Sequence, residues 1–127
     1  MVVGDETLAW RVGHRHRAEP GSPVYRDCTE LLQVHRPGRR GQLEITFAPG
    51  PGRRVPSGGP DASGIVGTDA DGSLNLHEPG TARAFIDEAA ARGWRSDQPT
   101  RLELDGWDLF PAAAARRRSP EPPAPRG

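Results

Sequence analysis

Residues 31–47 read LLQVHRPGRRGQLEITF and contain the strongest hairpin signal in the chain. Leu32 and Val34 alternate with polar residues before the turn, and the run after the turn alternates in the same way. Pro37 and Gly38 between the two runs favour a tight turn. The second run places Leu43, Ile45 and Phe47 on one face and Gln42, Glu44 and Thr46 on the other. The pattern predicts two antiparallel strands that each bury one face.

Alternating apolar residues indicate further strands on both sides of this hairpin. A strand is expected near the start of the chain, a second and shorter hairpin is expected around a turn at residues 69–72, and a last strand is expected near residue 103. The alternating residues are Leu8, Trp10 and Val12 in the first strand, Ile65, Val66, Leu74 and Leu76 in the second hairpin, and Leu102 and Leu104 in the last strand.

One helix is marked by an apolar stripe and by signals at both ends. Thr81 is a candidate N-cap, and Gly93 stands where a left-handed C-cap belongs. Glu88 and Arg92 have the spacing of a favourable ion pair, and Trp94 is expected to fold back onto the core. The stripe consists of Ala82, Phe85, Ile86 and Ala89, which recur at helical spacing.

These elements predict an α+β fold, with an antiparallel sheet of about five strands and one main helix packed on a face. Residues 1–115 are expected to form a single small domain. Loops are predicted at residues 18–27 and at residues 48–64, where four prolines and five glycines occur. Residues 107–115 suggest a short closing helix, and the Arg- and Pro-rich residues 116–127 suggest a disordered tail.

Composition excludes several classes of function. All 17 basic residues are Arg, and they balance 17 acidic residues. Residues 1–54 hold 9 Arg against 6 acids and residues 55–115 hold 4 against 10, so a uniformly basic nucleic-acid-binding domain is not expected. Cys28 is the single cysteine, which excludes an internal disulfide. No apolar run is long enough for a membrane span and no signal peptide is visible, so we expect a cytoplasmic protein.

Residues 67–78 can be aligned with a calcium-binding loop by placing Gly72 at its invariant glycine. Asp69, Asp71 and Glu78 then fall on ligand positions. The first position, however, is Gly67 instead of an aspartate, and no helix is predicted before it. Asp and Gly are also the usual residues of tight turns. We therefore expect a hairpin turn here and not a calcium site.

Histidines and the single cysteine raise two further possibilities. His14, His16, His35 and Cys28 provide ligand types for a transition metal, and Cys28 with His35 provides a thiol and a base. No spacing fixes these residues relative to one another. The alternation favours a solvated strand end for the histidines and a buried thiol for Cys28. We expect no metal, no cofactor and no catalytic residue.

Two features favour an interaction with another protein. Arg39 and Arg40 are predicted at the tip of the first hairpin, where Arg can form bidentate bonds to carboxylates. Trp107 lies beside Phe110 near the end of the folded region, where it either closes the core or anchors a partner. Arg39, Arg40 and Trp107 are thus the candidate partner-binding residues.

By elimination, the sequence favours a non-enzymatic accessory or immunity-like protein that binds one other protein. The identity of that partner and the oligomeric state of this chain stay open. One alternative is a nucleic-acid-associated factor that uses the Arg-rich hairpin, for which steep salt dependence of binding is expected. A second alternative is an enzyme whose residues meet only in the fold. A pocket that encloses Cys28 and two histidines would favour that enzyme.

Overall fold

The computed structural model describes residues 1–18, 25–55 and 64–118. Those ranges contain nine strands and two helices. They are β1 (Val2–Val3), β2 (Glu6–Thr7), β3 (Ala9–Ala18), β4 (Tyr25–His35), β5 (Gln42–Phe47), β6 (Arg53–Arg54), β7 (Ile65–Thr68), β8 (Gly72–Asn75), α1 (Pro79–Ala91), β9 (Arg101–Asp105) and α2 (Gly106–Arg118). The predicted α+β class is confirmed.

The main sheet has the strand order β3-β4-β5-β9. β3, β4 and β5 pair antiparallel, and the register of Val34 with Leu43 confirms the predicted first hairpin. β9 instead pairs parallel to β5. The chain passes through α1 between these two strands, and a helical crossover returns it to the end of the sheet at which β5 began. The expectation of a wholly antiparallel sheet was therefore wrong for the last strand.

The second hairpin forms as predicted but does not join the main sheet. β7 and β8 pair antiparallel with Val66 opposite Leu74, and they make a separate three-stranded sheet with β6. β6 lies within the predicted loop at residues 48–64, so part of that segment is paired. Residues 56–63 of the same predicted loop lie outside the described part of the chain.

The strands β3 and β4 extend further than their alternation indicated. Ala18 and Tyr25 are register partners, so the ends of the predicted loop at residues 18–27 belong to strands. Residues 19–24 lie outside the described ranges. The register shifts between Arg15 and Arg17, which limits the regular pairing of β3 to its first seven residues, 9–15.

α1 begins earlier than predicted. Pro79 occupies its first turn, the N-cap residue is Glu78, and no side chain caps the helix. Thr81 is thus a buried residue inside the helix, and its expected role as N-cap was wrong. The C-terminal signals are confirmed, because Gly93 has a φ of 105° and Trp94 is buried.

α2 begins at a strong N-cap and ends later than predicted. The Asp105 side chain accepts a 2.9 Å hydrogen bond from the backbone of Trp107. The helix continues to Arg118, so residues 116–118 are helical and not part of a tail, while residues 119–127 lie outside the described ranges. Arg116 bonds to Glu88 at 2.6 Å, and the predicted Glu88–Arg92 pair is replaced by this contact between the helices.

The core lies between one face of the main sheet and the two helices. Phe47 of β5 is at its centre, with ring centroids 5.3 Å from Phe85 and 5.2 Å from Trp107 in edge-to-face geometry. Gly106 has no room for a side chain beside the Phe47 ring, so the start of α2 can pack directly on β5. The other large core residues include Leu8, Leu32, Leu43, Ile45, Val66, Leu76, Ile86, Leu109 and Phe110.

Neither of the two helices in the described ranges combines the length and the apolar character that crossing a membrane requires.

Candidate functional site

The main sheet has a second face that carries polar side chains and points away from the helices. The register places Arg11, Gln33, Glu44 and Glu103 in one row across its four strands. Because side chains alternate along a strand, this row lies on the side opposite the core residues. The predicted outward direction of Glu44 is therefore confirmed. We call this surface the polar face.

Glu44 is a carboxylate on the polar face with a side chain only 2% exposed. Nη2 of Arg101 lies 2.8 Å from its Oε2, and Nη2 of Arg15 lies 3.2 Å from its Oε1. Burial raises the pKa of Glu44, but hydrogen bonds from Gln33 and Arg101 and the charges of Arg101 and Arg15 outweigh burial and hold the pKa below 4.5. Glu44 is therefore the centre of an ion-pair network on the polar face.

A cleft of about 470 Å³ lies at one end of the polar face. This volume falls in the range of small-molecule and peptide side-chain pockets. Its walls come from the start of β3, the end of β4 and the turn before β5, and they contain no Asp or Glu among the described residues. The polar lining residues are Arg11, Gln33, His35, Arg39, Arg40 and Gln42. We call this concavity the arginine cleft.

The turn between β4 and β5 positions one wall of the arginine cleft. The backbone N–H of Arg39 donates to the carbonyl of Arg36 at 3.0 Å, and Gly38 has a φ of 84°. With Pro37 before that glycine, this is the geometry of a type II turn. A Cβ on Gly41 would lie 1.7 Å from the carbonyl oxygen of Gln98, so only glycine lets the turn close against the segment before β9. The local sequence thus holds both arginines at the end of the sheet.

The arginine cleft concentrates positive charge that nothing in its walls neutralises. Arg39 and Arg40 are exposed, and among the described residues neither guanidinium has a hydrogen-bond or ion-pair partner. Arg11 donates from Nε to Oε1 of Gln33 at 2.5 Å, which leaves its terminal nitrogens available. His35 adds a further exposed hydrogen-bonding group. Such a concave group of guanidinium donors suits a carboxylate or phosphate.

Trp107 does not belong to this surface. Its side chain is 6% exposed, its ring packs on Phe47 and Phe110, and its Nε1 donates to the carbonyl of Ala48 at 2.8 Å. Arg53 stacks over the ring at 5.5 Å and covers it further. The structure therefore places Trp107 in the core, which was one of its two predicted roles. It has almost no surface left to offer a partner.

Among the side chains that the structure describes, which do not include that of His16, the predicted alternatives based on Cys28 and the histidines do not converge. Cys28 and His35 are seven residues apart on β4, so their side chains lie on opposite faces and roughly 23 Å apart along the strand. Cys28 is buried and unpaired. His14 Nδ1 lies 2.7 Å from the fully buried carboxylate of Glu30, on the core side. No group of three metal-ligating side chains occurs in the described ranges.

The segment aligned with a calcium-binding loop is a hairpin. Its two aspartates are already in contact with arginines, because Asp69 lies 2.8 Å from Arg54 and Asp71 lies 3.7 Å from Arg118. The strands β7 and β8 flank the turn, and no helix enters it. The prediction of a hairpin turn at this position is confirmed.

Sequence reasoning identified Arg39 and Arg40 but missed Arg11 and Gln33 as neighbours in the arginine cleft. Alternation in the first strand already placed Arg11 on the face opposite Trp10. What the sequence did not provide was the pairing of β3 with β4, which sets Arg11 directly opposite Gln33. β3 and β4 are separated by six residues instead of a two-residue turn, so no local signal fixes the register between them.

No protein-family model, no curated protein and no solved structure matches this chain. The geometry of the polar face and of the arginine cleft is therefore the basis for a functional proposal.

Proposed function

We propose that this chain is a non-enzymatic protein-binding module that holds a carboxylate-rich segment of a partner protein in the arginine cleft. The observation that supports the proposal is the presence of three arginines and no acid in one described concave site, with Arg39 and Arg40 unpaired. Guanidinium groups in such a site gain charge-assisted, bidentate hydrogen bonds when a carboxylate enters. Arginine is also enriched at the centres of protein interfaces.

The distribution of charge favours a protein partner over a nucleic acid. Beyond the cleft, the polar face carries the exposed acids Glu103 and Asp105 on β9. A phosphate backbone repeats its charge along its whole length and needs a continuous basic track. The exposed Arg15 and Arg101 beyond the cleft are interrupted by the carboxylates of the same face, so the basic surface matches a short acidic segment better than an extended polyanion.

The lining of the cleft also supports a binding role over catalysis. Its described residues include no carboxylate, hydroxyl or thiol that could act as nucleophile or general acid. His35 is the single histidine among the described lining residues. A lone histidine without a nucleophile or an orienting carboxylate lacks the constellation that acyl or phosphoryl transfer requires.

We further propose a reducing, cytoplasmic setting for this activity. Cys28 is unpaired and buried, and its chain has no second cysteine with which to form a disulfide. A stable fold without disulfides suits a compartment that keeps thiols reduced.

The proposal is tested by titrating the chain with a fluorescently labelled oligoglutamate peptide of roughly ten residues and, in parallel, with a single-stranded oligonucleotide of similar charge. Replacing both arginines in Arg39→Gln with Arg40→Gln should weaken peptide binding by at least about tenfold. The matched control is Arg53→Gln with Arg54→Gln, which removes the same charge from an exposed pair already engaged by Trp107 and Asp69.

Peptide affinity within about threefold of wild type is expected for the control, and melting temperatures establish that both variants fold. Equal losses in the two variants would mean that only net charge matters, and the cleft would not be a site. Tighter binding of the oligonucleotide than of the peptide, lost on Arg39 and Arg40 substitution, would favour the nucleic-acid alternative.

A further inference from the structure

The outer edge of β3 lies next to the arginine cleft and has backbone hydrogen-bonding groups that no described strand pairs with. β3 ends the strand order of the main sheet, and its outer backbone groups have no strand partner among the described residues. Its regular part, residues 9–15, spans roughly 20 Å. Exposed edges of this length invite pairing with another chain, and proteins usually block them with charge, bulges or covering segments.

The arginines on this edge disfavour pairing with a second copy of β3 and favour pairing with an acidic strand. Arg11 and Arg15 project from β3 onto the polar face, four residues apart. A second copy of β3 would bring like charges together, which disfavours self-association through this edge. A strand with acidic side chains on the same face would instead place carboxylates beside these two arginines.

The other side of the same edge is apolar at Trp10 and Val12 and carries His14 beyond them. Trp10 and Val12 alternate with Arg11 and are only partly buried where they pack against the core. A strand added about 4.8 Å from β3 would cover them with its own side chains of that face. The edge therefore has basic residues on one face and partly exposed apolar residues on the other, which matches a strand in which acidic and apolar residues alternate.

Gly13 provides an independent observation at the middle of this edge. Its φ is not positive, and a Cβ built on it would meet nothing closer than Leu31 Cδ1 at 3.8 Å. Neither backbone geometry nor packing within the described structure requires glycine there, although glycine inside a strand is less stable than alanine. The missing side chain leaves space on the polar face between Arg11 and Arg15 for the side chains of an added strand.

We propose that the outer edge of β3 takes up an extended segment of the partner protein as an added strand, whose acidic residues alternate with apolar ones. This inference rests on the proposed function, because the acidic side chains of the added strand lie beside Arg11 and reach into the arginine cleft, which β3 lines with residues 9–11. Backbone hydrogen bonds supply affinity in this mode of recognition, and the side chains supply specificity.

The test uses four acetylated peptides of roughly eight residues, long enough to pair with the regular part of β3. The first alternates Val and Glu. The second has the same composition with the Val and Glu residues in separate blocks. The third and fourth are the alternating peptide with backbone N-methyl groups on one alternate set of residues or on the other. Affinities are measured by calorimetry at concentrations where light scattering shows the free peptides to be monomeric.

An added strand donates only alternate N–H groups to its neighbour. We expect one N-methylated peptide to bind at least about tenfold more weakly than the parent and the other to stay within about twofold of it. The block peptide should also bind at least about tenfold more weakly. Gly13→Glu should repel the alternating peptide, and its matched control Gly13→Gln, which adds a side chain of the same size without the charge, should bind this peptide more tightly than Gly13→Glu does.

Other outcomes separate this inference from the proposed function. If all four peptides bind equally and lose affinity in the Arg39→Gln and Arg40→Gln variant, strand addition is wrong and the arginine cleft stands. If binding is sensitive to N-methylation but indifferent to those two substitutions, strand addition stands and the role of the cleft is wrong. Absence of binding by every peptide up to about 1 mM would overturn both.

Discussion

Glu44 shows how a carboxylate can be buried in the middle of a sheet as the centre of an ion-pair network. Its contacts with Arg15 and Arg101 compensate for the loss of water around it. Arg15 and Arg101 are each more than half exposed, so their guanidinium groups contact the buried carboxylate on one side and water on the other. The alternation in the first hairpin assigned Glu44 to the polar face, but its burial depends on two arginines that are distant in sequence.

This arrangement predicts a specific pH dependence of stability. The pKa of Glu44 is lower in the folded chain than its ordinary value of 4.5. The folded state therefore gains from the ionised form, and this gain is present above pH 4.5 and lost as the pH falls through the lower folded pKa. In Glu44→Gln, the free energy of unfolding should fall less steeply than in wild type below pH 4.5. Urea denaturation across this range measures the difference, and parallel curves for the two proteins would contradict it.

Gly13 supports a second prediction about a single residue. Because a Cβ at this position meets no close neighbour and the backbone is not left-handed, Gly13→Ala should raise the free energy of unfolding by about 0.5 to 1 kcal/mol. The matched change Gly41→Ala should instead destabilise the fold, since its Cβ would overlap the carbonyl of Gln98. Equilibrium denaturation of both variants provides the comparison. A destabilised Gly13→Ala would mean that the strand itself requires this glycine.

At the scale of the elements, the best test of the core concerns α1. Phe85 is fully buried, with its ring 5.3 Å from Phe47 and 6.2 Å from Phe110. Phe85→Ala removes the side chain that joins α1 to both β5 and α2, so it should cost about 3 to 5 kcal/mol. A loss below about 1 kcal/mol in chemical denaturation would mean that the helix packs through a different face.

The hairpin formed by β7 and β8 gives a prediction about metals. The carboxylates of Asp69 and Asp71 contact Arg54 and Arg118, and the hairpin offers no helix or first-position ligand. Calcium at millimolar concentration should therefore leave the melting temperature unchanged. A rise that depends on calcium concentration and disappears in Asp71→Asn would show that the turn is a calcium site.

Most elements with a local signal were predicted correctly, with the N-cap at Thr81 as an exception, and the other errors occurred where distant segments decide the structure. The hairpin turn at Pro37 and the C-cap at Gly93 depend on neighbouring residues, and both are present. The parallel direction of β9 depends on the path of the crossover. Glu88 has a good local partner in Arg92 but bonds to Arg116, because α2 packs against α1.

The whole molecule divides into an apolar side that is closed by helices and a polar side that ends in the arginine cleft. Arg39 and Arg40 were accessible to sequence reasoning because the turn that carries them is local. The rest of the site was not, since Arg11 and Gln33 meet only through the pairing of β3 with β4. Trp107 shows the opposite case. Its position beside a turn was compatible with the core or with the surface, and only its packing against Phe47 places it in the core.

The measurement that tests the central proposal most directly is a map of amide chemical shifts in ¹⁵N-labelled protein titrated with the oligoglutamate peptide. The proposed site predicts that the largest changes cluster at residues 9–11, 33–35 and 39–42, which meet around the arginine cleft. The changes should diminish as salt is added, since the contacts are ionic. Changes centred instead on the other arginine runs, at residues 53–54 or 116–118, would show that the acidic segment binds elsewhere and would contradict the proposed function.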